Sequence, residues 1–100
     1  MHIHNVYFWL HEKLDSQARN HFEEGLESLC NDTDVQSGYF GKPADTHRDV
    51  VENSYTYSLV LFFNDLHAHD RYQQISPVHQ AFINTHQHKW QKVIVYDVNV

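Results

Sequence analysis

Two histidines stand where an imidazole can move a proton. His79 lies in SPVHQAF, residues 76–82, three places after Ser76 and inside the first turn of an expected helix. The unpaired backbone N–H groups of a first turn carry partial positive charge, which disfavours imidazolium and leaves a neutral ring able to accept a proton near pH 7. His4 falls in an aromatic, β-branched stretch near the start of the chain. If that stretch turns His4 toward the same helices, one ring takes a proton from an acidic carbon while the other polarises a carbonyl. Tyr72, in the helical run before Ser76, adds a hydroxyl donor. The competing role for His4 and His79 is semi-buried packing with hydrogen bonds to backbone, and for Tyr72 it is plain core packing.

The chain holds ten histidines, and three pairs are spaced two apart: His2 and His4, His67 and His69, His86 and His88. On a strand that spacing points both rings the same way, whereas on a helix it separates them by about 200°. Only the first pair is placed to chelate, and no neighbouring Cys or carboxylate completes a tetrahedral set around it. The expectation is therefore solvated surface histidines, no metal and no cofactor, with His2 mobile at the terminus. Glu23, Glu24 and Glu27 read as the wet face of a helix, and Arg48 and Asp49 as part of an inert polar loop. Ser76 reads as a helix cap rather than a nucleophile.

The elements that must position these groups follow from periodicity. Ile3–His11 reads as a strand with His4, Val6, Phe8 and Leu10 on one face. From Leu14 the period changes, and Leu14, Ala18, Phe22, Leu26, Leu29 and Cys30 form one stripe of a helix capped by Asp15 or Ser16. Val35–Gly41 suits a short strand, Lys42–Asn53 a loop, and Ser54–Phe63 a strongly apolar strand. Asn64 or Asp65 caps a short helix to about Tyr72, with Leu66, His69 and Tyr72 on one side. Pro77 then opens a second helical segment with Val78, Phe82 and Thr85 inward, and Lys92–Val100 closes as a strand. The order β-α-β-β-α-β is that of a ferredoxin-like α+β unit, a four-stranded antiparallel sheet with helices on one face. Large apolar groups remain on the other face, which predicts a homodimer with sheets packed face to face.

Composition bounds the partners. One hundred residues make a single domain, residues 1–100, with a modest core. A net charge of -6 with only 7 basic residues disfavours nucleic acid. The opening MHIHNVYFWLHEK lacks a cationic leader region and no apolar run reaches membrane length, so neither secretion nor a membrane is expected. Cys30 is alone and forms no intrachain disulfide, which suits a reducing, cytoplasmic setting.

Three pieces of the chain resemble the stress-responsive A/B barrel (Dabb) family: HNVYFWL at 4–10, YTYSLVLFFND at 55–65, and RYQQISPVHQAF at 71–82 followed by VIVYDV at 93–98. The resemblance implies a ferredoxin-like protomer whose sheet pairs with a second copy in a dimeric α/β barrel. Most similar proteins carry no assigned reaction, while a few are polyketide cyclases that need no cofactor or metal. The histidines that work in those cyclases fall on His4 and His79. The chain departs from them in having Ser76 before Pro77 and no tyrosine in the first helix, where Phe22 and Gly25 stand. Three functions follow as expectations: a pocket for a small apolar or aromatic molecule between sheet and helices, a cyclase-like or lyase enzyme with His79 as base and His4 as partner, or a structural dimer with no pocket.

Overall fold

The computed structural model describes all 100 residues. Its elements are β1 (His2–Leu10), α1 (Ser16–Cys30), β2 (Ser37–Gly41), β3 (Tyr57–Phe63), α2 (Leu66–Gln74), α3 (Pro77–His86) and β4 (Trp90–Asn99), with a 3₁₀ turn at Gln87–Lys89. The strands form one sheet in the order β2-β3-β1-β4, every neighbouring pair antiparallel. This is the ferredoxin-like α+β arrangement, with both crossovers leaving their helices on the same side.

Alternation builds the inner layer. His2, His4, Val6, Phe8 and Leu10 are buried along β1, and Tyr57, Leu59, Leu61 and Phe63 along β3. The register sets Val6 beside Leu59 and Phe8 beside Tyr57, so the two inward rows coincide. Onto them α1 lays Phe22, Leu26 and Leu29, α2 lays Ala68 and Tyr72, and α3 lays Phe82. The helices start where side chains satisfy their first amides: Asp15 Oδ1 accepts from Ala18 at 2.8 Å, Asp65 Oδ1 from Ala68 at 2.9 Å, and Ser76 Oγ from His79 at 3.2 Å. At Gly38 a Cβ would lie 2.8 Å from Leu61 and 3.0 Å from the Cα of Cys30, so glycine lets the end of α1 rest on β2.

Several boundaries differ from the sequence expectation. Val35 is not in β2, because its amide bonds Asp32 in a turn and pairing begins at Ser37. β3 begins at Tyr57 rather than Ser54, since Thr56 spends its hydroxyl on the Leu10 amide at the end of the ladder. β4 starts two residues early, at Trp90, which pairs with Leu10. Leu66 is exposed, and Ala68 takes the inward place beside Tyr72. In α3 Thr85 is exposed and His86 is buried, one residue further round the helix. Glu23 leaves the expected wet face to accept a hydrogen bond from Tyr57. No helix is long and apolar enough to cross a membrane.

Candidate functional site

The three sequence candidates meet at one place. A cavity of about 210 Å³ lies between the sheet and the last two helices, and His4, Tyr72, Gln73 and His79 share its lining with apolar side chains such as Ile83 and Trp90. β1 supplies His4 because its even-numbered residues face the helices. Tyr72 and Gln73 arrive from the last turn of α2, and His79 from the first turn of α3. The break between these helices at Ile75 and Ser76 is what turns His79 back toward Tyr72, whose ring centroid is 4.7 Å away.

The electrostatics favour uncharged rings. His79 is half-buried and held below the usual histidine value, first by burial and then by the nearby His4, with Asp32 opposing. Its only cap contact is through the backbone amide to Ser76 Oγ, which leaves the imidazole to the cavity. Ser76 is itself anchored, donating its hydroxyl to buried Asp32. His4 is also held low, again by burial first, against the raising pull of Asp97. Tyr72 is pushed far above its ordinary range by burial, so it stays a neutral phenol. A neutral imidazole, a second imidazole and a phenol around an apolar space can bind a carbonyl or hydroxyl compound and exchange a proton with it.

Behind His4 lies a second group that the sequence reading missed. The Nδ1 of His4 donates to Asp97 Oδ1 at 2.6 Å, and His2 Nε2 approaches the same oxygen at 3.0 Å. His69 places its Nε2 4.0 Å from that oxygen and its ring 4.1 Å from that of His2. The expectation that no carboxylate completes the His2 and His4 pair is therefore incorrect, because antiparallel pairing sets Asp97 of β4 directly beside His4. The surface expectation holds for His67 and His88, which are exposed, but His2, His4 and His86 are buried and His69 is half-buried. His2 is tied into β1 opposite Phe63 and Asn99 instead of lying loose. One signal was available in VIVYDV, where Asp97 takes the inward parity of Val93 and Val95 in an otherwise apolar run.

The other candidates lie outside this place. Arg48 and Asp49 are exposed on the loop before β3. Cys30 is pushed up to about 11, by burial and then by Glu27, and is an inert thiol at neutral pH.

The family model described as the stress responsive A/B barrel domain matches residues 3–100. The chain belongs to this family. Solved structures share the fold of this A/B barrel chain at low identity. An Arabidopsis thaliana protein superposes with a TM-score of 0.82 at 19% identity, over 100% of this chain and 95% of its own. A dimeric ferredoxin-like protein of unknown function from Thermobifida fusca gives 0.78 at 13%, over 99% and 90%. A hydroxynitrile lyase from Passiflora edulis gives 0.80 at 15%, over 99% and 92%. Against curated proteins no sequence match is found.

Proposed function

We propose that this A/B barrel protein binds a small, mainly apolar carbonyl or hydroxyl compound in the cavity between sheet and helices, with His79 accepting a proton and His4 orienting the polar group. The observation that carries this reading is the single cavity reached by both histidines, a space that a purely structural dimer has no reason to leave open. Size narrows the class. A void of about 150 Å³ takes a benzene ring, so one of about 210 Å³ has room for one substituted ring. A one-ring aldehyde or ketone fits best. The hydroxynitrile lyase from Passiflora edulis is built on the same fold, so the scaffold is compatible with an enzyme. The same reading places the chain in the cytoplasm as a homodimer, paired through the bare face of its sheet, as the Thermobifida fusca neighbour is described as dimeric.

Trp90 lines the cavity and reports on it, whereas Trp9 lies on the opposite face of the sheet. In a Trp9→Phe background, acetophenone or benzaldehyde is expected to change Trp90 fluorescence saturably, and Ile83→Phe, which fills the space without adding a second indole, to abolish the effect. Exchange of the acetophenone methyl protons with solvent deuterium, followed by NMR, should fall about 100-fold in His79→Ala. A titration that never saturates removes the pocket. Saturation with unchanged exchange in His79→Ala leaves a binding protein and removes the base.

A further inference from the structure

We infer that His2, His4, His69 and Asp97 form a divalent transition-metal site beside the cavity. The nitrogen and oxygen atoms that these four residues offer all lie within 4.8 Å of one another. The elements bring them together from three separate parts of the chain: two alternate residues of β1, one from the first turn of α2, and one from β4 directly across from His4.

Hydrogen bonding within the cluster is incomplete, and that is what points to a cation. Asp97 Oδ1 accepts from His2 and His4 at 3.0 and 2.6 Å, but His69 Nε2 has no partner and is the one buried side-chain polar atom in the molecule left so. Its other nitrogen, Nδ1, faces Asp70 Oδ1 at 3.2 Å. A carboxylate on Nδ1 fixes the proton there and directs the Nε2 lone pair inward, toward His2 and Asp97. Native folds rarely leave a buried acceptor unanswered, and a lone pair aimed at two more imidazoles and a carboxylate is how a metal-ligating histidine is held.

The donor set selects the ion. Three imidazoles and one carboxylate suit Zn²⁺, Co²⁺, Ni²⁺ or Cu²⁺, and are poor for Mg²⁺ or Ca²⁺, which require oxygen. Tetrahedral zinc with bonds near 2.0–2.1 Å sets its ligand atoms roughly 3.4 Å apart. The cluster therefore needs only side-chain rotation: the 2.6 and 3.0 Å pairs open as the cation replaces their protons, and His69 moves in from 4.0 Å. The Asp97 side chain is 42% exposed while those of His2 and His4 are 10% and 5%, so a cation has an entrance at one wall of a site otherwise enclosed. His4 joins the site to the cavity, since its Nδ1 faces Asp97 and its Nε2 faces Gln73, which also lines the cavity. A metal on Nδ1 obliges the cavity-facing Nε2 to carry the proton, turning it from acceptor to donor.

The test uses the tag-free full chain, freed of metal by chelation and titrated with Co²⁺ and then Zn²⁺. One Co²⁺ per chain with the intense visible bands of tetrahedral coordination, displaced by Zn²⁺, and a rise in melting temperature with Zn²⁺ are expected. His69→Gln and Asp97→Asn should each weaken binding at least 100-fold, while His67→Gln, at an exposed position one residue pair away, changes nothing. Circular dichroism verifies that each variant is folded, and His2→Gln, at the strand end, replaces any that is not. Octahedral Co²⁺ spectra, less than one ion per chain at micromolar metal, or equal affinities in His69→Gln and His67→Gln would overturn the site.

Discussion

His86 shows how one side chain in this fold sets a response to pH. It is 3% exposed, lies against Gly25, where a Cβ would stand 2.6 Å from its Nε2, and accepts at Nδ1 from Lys89 Nζ at 3.0 Å. Burial, then the Lys89 ammonium, with His21 and His88 adding, holds it down at about 4 against an ordinary 6.5. The folded value is below the unfolded one, so as pH falls the unfolded chain takes the proton first. Stability is full above about 6.5 and declines toward about 4, a loss on the order of 2 kcal/mol for this ring. His86→Asn keeps an acceptor for Lys89 but does not titrate. Urea unfolding at a series of pH values is expected to show a shallower decline from pH 6.5 to 4 in that variant. The same steepness in both proteins would mean that other histidines carry the acid sensitivity.

Among the elements, the hinge between α2 and α3 decides where the proposed base points. Ser76 ends one helix and caps the next, and its hydroxyl serves twice, accepting from the His79 amide and donating to Asp32. Asp15 caps α1 at an exposed position with nothing buried depending on it. Removing a cap costs about 1 kcal/mol, and leaving a buried carboxylate short of a donor adds about 1–3 kcal/mol. Ser76→Ala should thus lower stability clearly more than Asp15→Ala by urea denaturation. Equal losses would show that Asp32 does not need this hydroxyl. The helix start was legible in SPV, since serine before proline suits a cap and first position. The hydrogen bond to Asp32 was not, because it spans 44 residues and depends on where α1 ends.

At the scale of the molecule the shape is a slab, 35 × 32 × 18 Å, thin because helices cover one face of the sheet alone. The bare face is aromatic. Tyr7 stacks edge-on between Tyr55 and Tyr96 at 5.1 and 6.1 Å, Lys92 sits 4.6 Å over Trp9, and Tyr39 meets Phe62. Tyr39 and Tyr96 are 65% and 61% exposed. A surface of this kind on both copies suits a two-fold interface, and a stable one buries about 800 Å² on each partner. Val60→Glu, on the outer side of an inner strand beside Asn5 and Tyr39, is expected to give a folded monomer by sedimentation equilibrium where the parent chain is dimeric. A monomeric parent at micromolar concentration would end the paired-sheet reading.

What the residues alone determined is whatever depends on near neighbours. Alternation along 3–11 and 54–63, the three- and four-residue stripe through Phe22, Leu26 and Leu29, and the capping residues before each helix each act within a few positions, and they are enough to specify the order of elements and to set His4 on the same side of its strand as Val6, Phe8 and Leu10. Tertiary structure decided what those faces meet. Asp97 stands beside His4 only because β4 pairs with β1 in one register, 93 residues away in the chain, and a slip of a single place would have turned its carboxylate to the opposite side. His69 joins them through the docking angle of α2, and Thr85 gives way to His86 because Gly25 leaves room for an imidazole against α1. Local periodicity tells which side of an element is inward, but partners across a sheet are chosen by the whole set of strands at once.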